Sequence, residues 1–233
     1  MTLGSKLPHQ NERRYNFAPN SLGAADIVLP GVYSDLGGGY LPNAIERVFL
    51  SKPRRSEVDE HVPFTEANSY KLAQNDLRRL QCQLARYDLA LEIRAWEVPF
   101  TFTEEKKRRD MKDVYAAVSS QREVHGDLSL IYFRIMRELA VEHGVPFAEV
   151  DETEPRLALP AELIPIYEKL MPYALGKSKT LRLSAQEEQL LFQSYVHLSD
   201  NWNAAKSRNN SDLNIVFINR PDGTGVRTVH PND

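Results

Sequence analysis

Two residues of this 233-residue chain combine a side chain suited to acid–base chemistry with a setting that could hold it in place. Asp35 follows an apolar run at 26–32 and precedes three consecutive glycines. His197 lies at the predicted end of a helix, in the sequence Tyr-Val-His-Leu-Ser-Asp. A histidine whose ring is fixed by a carboxylate can move a proton between a hydroxyl nucleophile and a leaving group. The two residue types therefore suggest two members of a catalytic triad.

Each of these residues also has a purely structural interpretation. Asp35 could cap or hydrogen-bond the glycine turn, as aspartate often does, and His197 could be a cation at a helix C-terminus. The glycines at 37–39 could approach a phosphate, but no lysine or hydroxyl stands at the spacing of a phosphate-binding loop. The residues alone leave the catalytic and the structural roles open.

The nucleophile of such a triad is absent from the sequence. The chain contains no Gly-x-Ser-x-Gly, the motif that carries the serine of α/β-hydrolases on a turn between a strand and a helix. In those enzymes the order along the chain is serine, acid, histidine, so a segment with only the last two corresponds to the C-terminal half. We expect the isolated chain to be inactive, because loss of a triad nucleophile costs on the order of 10⁶-fold in rate.

Hydrophobic patterning predicts the strands that must position these residues. Apolar runs rich in β-branched residues predict strands at 26–32, at 89–100 with Pro99 closing it, and at 215–218. A flexible loop is expected at 33–39. The charged run at 104–110 is typical of a solvated helix face or loop.

Helical periodicity accounts for most of the remaining chain. Cys82 falls inside one such pattern, where it is expected to be a small buried side chain. Short strands separated by helices predict α/β architecture with a mixed or parallel sheet, of which only a part is present. Helices are predicted at 65–87, from Leu128 to a stop at His143 and Gly144, in pieces at 159–175, and from the capping box at Ser184 toward His197.

Composition excludes several function classes. A net charge of -3 gives no electrostatic reason to expect nucleic-acid binding. The single cysteine and the histidines show no zinc-type spacing, so no metal or other cofactor is expected. No apolar run reaches the ~20 residues of a membrane span, and no basic-then-apolar leader is present. We expect a cytoplasmic product in the producing cell, which does not exclude action on lipid from the water side.

Several segments resemble a known family in the same order along the chain. Residues 29–40 read Leu-Pro-Gly-Val-Tyr-Ser-Asp-Leu-Gly-Gly-Gly-Tyr, which is similar to the Pro-Gly-Val-His-Ser-Asp and glycine run of the type VI secretion phospholipase effectors and their relatives, a family of uncharacterised α/β-hydrolase domains. Residues 12–17 resemble that family's Glu-x-Arg-x-x-Phe segment. Residues 195–199 resemble its Val-His-Asp-Ser, and 219–232 resemble its terminal turn. Tyr33 and Leu198 depart from the family's His and Asp.

The resemblance implies that Asp35 is the triad acid and His197 the triad base of a lipase. The fold would be the C-terminal half of an α/β-hydrolase-like sheet, with core segments at 1–64 and 181–233 and a mostly helical cap or lid at 65–180. The implied substrate is a membrane phospholipid, and the serine would come from an N-terminal half or an upstream-encoded chain.

The partners and destination follow from the same resemblance. Secretion machinery or an immunity protein would be partners, and delivery would reach the periplasm of a target bacterium. The competing interpretation is a non-catalytic interaction or adaptor module from a truncated or split hydrolase gene, which would expose unpaired strand edges.

Overall fold

The computed structural model describes residues 29–104, 107–204 and 219–220. The described residues form a mixed α/β fold with one antiparallel sheet and five α-helices. The helices are α1 (Tyr33–Gly37), α2 (Asn68–Leu84), α3 (Leu128–Glu142), α4 (Ile164–Ala174) and α5 (Ala185–Ser194). The strands are β1 (Asn43–Phe49), β2 (Arg54–Asp59), β3 (Leu91–Glu104) and β4 (Lys107–His125), and short 3₁₀ turns lie at Phe64–Glu66, Ala85–Tyr87 and Ala161–Leu163.

The long strand β4 organises the sheet of the described residues. β1 and β2 both pair with β4, and β3 forms a hairpin with it. The register of β2 runs antiparallel from Arg54 opposite Ala116 to Asp59 opposite Met111. That of β3 runs antiparallel from Leu91 opposite Ser120 to Glu104 opposite Lys107. The expected mixed or parallel sheet is therefore wrong for these pairings, because a tight hairpin connection imposes antiparallel strands.

The chain divides into two compact units. The described part of the first contains Ile45–Arg122 together with residues 198–204 and 219–220. In it α2 packs against β2 and β3, and the Ser69 hydroxyl at the start of α2 donates to the Val114 carbonyl of β4. Ala73, Leu80 and Leu84 of α2 are buried. This unit is a helix on a sheet, and the buried face of the helix includes the polar Ser69 and Asp76 as well as these apolar side chains.

The second unit contains 29–44 and Glu123–His197 and is mainly helical. Its core is built from α3, α4 and α5, and Arg134 of α3 is buried with its charge paired to Glu152 at 2.7 Å. Both candidate residues, Asp35 and His197, belong to this unit. The buried apolar core residues are Leu128, Ile131, Tyr132, Ile135, Leu163, Ile166, Leu170, Ala174, Leu191, Tyr195 and Val196.

Two of the three predicted strands differ from the structure. Leu29–Val32 is irregular, so the described part of the strand expected at 26–32 is not a strand. β3 continues past Pro99 to Glu104, because β4 is the only neighbour of β3 in the described sheet and a proline can occupy such an edge strand. The strand expected at 215–218 lies outside the described residues.

The charged and cysteine-containing segments also differ from expectation. The run at 104–110 is neither a helix face nor a loop throughout, because β3 ends and β4 begins within it. Cys82 is exposed on α2 instead of buried. The expected cap at 65–180 contains the β3–β4 hairpin as well as helices, and its boundaries stay a prediction.

Candidate active site

The Asp35 carboxylate and the His197 ring are in direct contact although 162 positions separate them in the sequence. Oδ1 of Asp35 lies 2.7 Å from Nδ1 of His197. The two side chains are only 1% and 5% exposed. Little water competes for this contact, and the low local dielectric strengthens it. The structure thus places together the two residues that the sequence analysis singled out.

Asp35 is held by the short helix α1. The loop expected at 33–39 is helical from Tyr33 to Gly37, and Asp35 lies in its first turn. Oδ2 of Asp35 accepts a hydrogen bond from the Val32 backbone N–H at 2.9 Å, which satisfies a donor just before the helix. The capping hydrogen bond is therefore on Oδ2, and the contact with the His197 ring is on Oδ1.

His197 follows helix α5, which brings it to the carboxylate. The helix ends at Ser194, and the Val196 N–H still donates to the Leu191 carbonyl at 2.7 Å. The chain then has no regular secondary structure, and the His197 backbone N–H donates to Oδ2 of Asp35 at 3.2 Å. Asp35 therefore holds both the backbone and the ring of His197. Its ring pairs with this carboxylate, which differs from the helix-terminal cation that was the structural alternative.

The second ring nitrogen of His197, Nε2, is the atom that could take part in proton transfer. Nε2 is buried and has no hydrogen-bond partner within the described part of the chain. The contact with Asp35 assigns the proton of a neutral ring to Nδ1, so Nε2 is an acceptor. Leaving a buried polar atom unpaired costs about 1–3 kcal/mol. An atom in this state can accept a proton from a group that reaches it.

The backbone before Asp35 is built around a glycine. Gly31 has a φ of +105°, and a Cβ there would stand 3.1 Å from both Cβ and Oδ2 of Asp35. A side chain at this position would be strained and would crowd the carboxylate. Sequence reasoning did not single out Gly31, although its place within the Pro-Gly-Val motif was a signal.

Tyr132 of α3 anchors the same stretch of backbone. Its hydroxyl donates to the Pro30 carbonyl. Burial raises the pKa of Tyr132 well above its usual value, and the negative charge of Asp35 adds to that effect. The hydroxyl therefore remains a protonated donor and ties residue 30 to α3. Nothing local in the sequence distinguished Tyr132 from the other apolar positions of its helix.

Tyr40 contacts the face of the His197 ring. Their ring centroids are 3.5 Å apart and the rings are within 10° of parallel. In the sequence, Tyr40 is only the last residue of the motif at 29–40. A stack of this kind depends on how the backbone turns between residues 37 and 40, which composition does not encode.

Two further properties of the described residues concern metal-binding clusters and membrane-spanning helices. They contain no group of three or more His, Cys, Asp or Glu side chains that could hold a metal ion. No helix among them has both the length and the apolar character to cross a bilayer.

A solved structure of known function is similar to this chain over most of its length. No protein-family model matches the chain, and no curated protein matches it. Among solved structures, the chain is similar to the Tle1 effector, determined bound to the VgrG spike from the type VI secretion system. The two are 26% identical with a TM-score of 0.70. The match covers 94% of this chain and 48% of the effector chain, so this chain spans about half the length of the structure it matches. The mixed α/β fold is thus similar to that of the Tle1 effector over the matched part.

Proposed function

We propose that this chain is the acid- and histidine-bearing part of a serine-type carboxylic ester hydrolase that acts on membrane phospholipids. The observation that carries the proposal is the buried contact between Asp35 and His197, with Nε2 unpaired among the described residues. A histidine ring that binds a carboxylate through Nδ1 presents Nε2 as the acceptor that a general base requires. The type of lipid follows from the sequence resemblance to phospholipase effectors.

The geometry fits the proton transfers of ester hydrolysis. A serine hydroxyl reaching Nε2 donates its proton there while its oxygen attacks the acyl carbonyl of the ester. The resulting imidazolium is stabilised by Asp35, which stays ionised and accepts from Nδ1. His197 then returns the proton to the departing alcohol oxygen. In the second half of the reaction it activates the water that releases the fatty acid.

The serine in this proposal comes from a segment outside the present sequence. The sequence contains no Gly-x-Ser-x-Gly, and a chain order of serine, acid, histidine puts that motif upstream. The similarity to about half of the Tle1 effector chain is consistent with this arrangement. Such a segment would be joined to this chain or supplied as a separate partner.

The partners proposed for the protein are those of a secreted effector. The similar Tle1 structure is bound to a VgrG spike, and we propose that this chain or its completed form docks on an equivalent spike. It would then act in the periplasm of a target cell, and an immunity protein would be a second partner. The same observation favours a second candidate function, a non-catalytic docking module that only engages the spike.

Reconstitution separates the two candidate functions. The chain is produced together with the upstream segment that carries Gly-x-Ser-x-Gly, and fatty-acid release from phospholipid vesicles is measured. We expect hydrolysis by the combined protein and none by the chain alone. His197→Ala should abolish the activity, with His61→Ala, an exposed histidine, as the matched control. Full activity in His197→Ala would overturn the hydrolase assignment, and spike binding without hydrolysis by the combined protein would support the docking module.

A further inference from the structure

The His197 ring is held on two sides by different kinds of contact. Asp35 meets its edge at Nδ1 at 2.7 Å, and Tyr40 covers its face in a parallel stack at 3.5 Å. A single hydrogen bond at the edge leaves the ring free to tilt about that bond. A flat aromatic neighbour removes this freedom, because tilting would break the stack or bring the rings into collision.

The glycine run delivers Tyr40 to this position. Gly38 ends α1 with a φ of +70°, a left-handed conformation that glycine adopts without strain. Gly39 then donates its N–H to the Ser34 carbonyl at 2.9 Å. A Cβ on Gly39 would lie only 3.2 Å from Cβ of Ser34. The chain therefore doubles back closely over α1, and the next residue is Tyr40.

A fourth glycine supports the chain just after Tyr40. A Cβ on Gly126 would stand 2.7 Å from the Leu41 carbonyl oxygen, which is closer than real atoms approach. The Gly126 N–H donates to the Pro42 carbonyl at 3.1 Å. The backbone at 40–42 is thus packed directly on the backbone at 126. The glycine run carries no phosphate-binding signature. Its role in these contacts is structural, because it lets the backbone turn before Tyr40.

We propose that Tyr40 is a positioning residue for His197, a role that rests on the proposed hydrolase function. By fixing the plane of the ring, it keeps Nδ1 on Asp35 and directs Nε2 toward the place where a nucleophile must arrive. Its aromatic face also favours the positive charge that the ring acquires during catalysis, since an aromatic face attracts a nearby cation. The role belongs to the ring of Tyr40 and does not require its hydroxyl.

Nuclear magnetic resonance on the chain as it stands tests the positioning directly. In ¹⁵N-labelled protein we expect the neutral His197 ring to be protonated at Nδ1 alone, with ring protons shifted upfield by the stacked tyrosine. Tyr40→Phe should keep both signatures. Tyr40→Leu should lose the upfield shift and show exchange between the two neutral forms of the ring. Tyr33→Leu is the matched control, because Tyr33 lies on the nearby helix α1 and its side chain is 89% exposed.

Kinetics of the reconstituted protein tests the consequence for catalysis. We expect Tyr40→Leu to lower kcat about tenfold at unchanged KM, near the upper range of an aromatic stack, and Tyr40→Phe to restore the rate. Tyr40→Met serves as a second variant if the leucine protein does not fold, since methionine fills irregular space. A Tyr40→Leu protein with an unaltered ring spectrum would overturn the proposal, as would a Tyr40→Phe protein as slow as Tyr40→Leu. Absence of hydrolysis in the unsubstituted reconstituted protein would instead count against the proposed function, and the spectra would still decide whether Tyr40 orients the ring.

Discussion

Two acid–base pairs in this protein are both largely shielded from solvent, but they differ in whether any polar atom of the pair is left without a hydrogen bond. In the first unit, Oε2 of Glu46 accepts from Nε and Nη2 of Arg122 at 2.8 and 2.6 Å. Its other oxygen accepts from the Leu198 N–H at 2.8 Å. In the second unit, both oxygens of Asp35 are also occupied, but the base it holds, His197, retains an unpaired Nε2 among the described residues.

The difference separates a structural pair from a reactive one. Arg122 is only 8% exposed, and its partner is placed so that neither carboxylate oxygen is left without a donor. A guanidinium also does not lose its proton in proteins, so this pair can only hold the fold. An imidazole, in contrast, can accept a proton at one ring nitrogen while the other donates to a carboxylate. Burial alone is therefore a poor guide to function, and the chemistry of the paired base is what distinguishes the two pairs.

The largest expected contrast between the two pairs is in catalysis. In the reconstituted protein, Asp35→Asn should lower kcat by about 10⁴-fold, because an amide no longer holds the productive form of the histidine ring. Glu46→Gln should keep kcat within about tenfold of the unsubstituted protein, since it touches no reacting atom. Vesicle hydrolysis at saturating lipid measures both. Equal losses in the two variants would erase the distinction between the pairs.

The free energy of unfolding should distinguish the Glu46–Arg122 pair from an exposed ion pair. Glu46→Gln leaves the buried Arg122 charge without a carboxylate, and breaking a buried pair in this way costs about 3–5 kcal/mol. The matched control is Glu57→Gln, which breaks the exposed pair with Arg55 and should cost at most about 1 kcal/mol. Urea unfolding followed by circular dichroism gives both values. A Glu46→Gln protein as stable as the Glu57→Gln protein would show that the first pair is not a structural one.

A substitution in the backbone next to Asp35 tests whether the space around its carboxylate matters for hydrolysis. Gly31→Ala should cost about 1–3 kcal/mol, the range for a residue held in a sparsely populated backbone conformation. It should also reduce hydrolysis, because the new Cβ presses on the carboxylate. Gly144→Ala is the control: its φ is +87°, but nothing lies within 4 Å of the added atom. If Gly144→Ala impairs hydrolysis as much as Gly31→Ala, crowding of Asp35 is not the cause.

His197 follows helix α5, so a substitution in the N-terminal cap of that helix tests whether helix stability affects the Asp35–His197 pair. The Ser184 hydroxyl accepts from the Glu187 N–H at 3.2 Å, and the Glu187 carboxylate accepts from the Ser184 N–H at 2.6 Å. Ser184→Ala should cost about 1 kcal/mol of unfolding free energy. Its kcat should be unchanged, since Asp35 orients the ring. Thermal unfolding and vesicle hydrolysis check the two parts, with Ser178→Ala, which removes a hydroxyl that donates to the Thr180 carbonyl and caps no helix, as control.

The smallest expected effect is a pH dependence near α5. The pKa of Glu162 is lowered by its own backbone N–H and by the Tyr195 hydroxyl, which donates to it at 2.8 Å. A lowered pKa stabilises the fold above the ordinary glutamate pKa of about 4.3, and that stabilisation is lost as the pH falls through the lowered value. Glu162→Gln should therefore lose less thermal stability between pH 6 and pH 3 than the unsubstituted protein. An unchanged pH profile would contradict this.

Local features of the fold could be predicted from the sequence. The apolar stripe of Leu128, Ile131 and Ile135 gave helix α3, and the capping box at Ser184 gave the start of α5. These elements are set by spacing and by contacts only a few residues long. The contact between Asp35 and His197 was expected from chemistry and from the order of motifs, and the structure has it.

Features that depend on distant partners could not be predicted. β4 begins in the charged run at 107–113, which has no strand pattern of its own, and it is extended because β2 and β3 pair with it. Leu29–Val32 has a strand-like composition but is irregular, since its backbone follows the positive φ of Gly31 and bonds to the Tyr132 hydroxyl. The Tyr40 stack likewise depends on Gly126, which is remote in the sequence.

The most direct test of the catalytic account is a crystal structure of the reconstituted protein that contains the Gly-x-Ser-x-Gly segment. The account predicts that the serine Oγ lies within hydrogen-bond reach of His197 Nε2, about 2.6–3.2 Å, while Nδ1 stays on Asp35. A structure in which Nε2 instead pairs with a backbone group or a structural side chain, and no hydroxyl can approach it, would contradict the account.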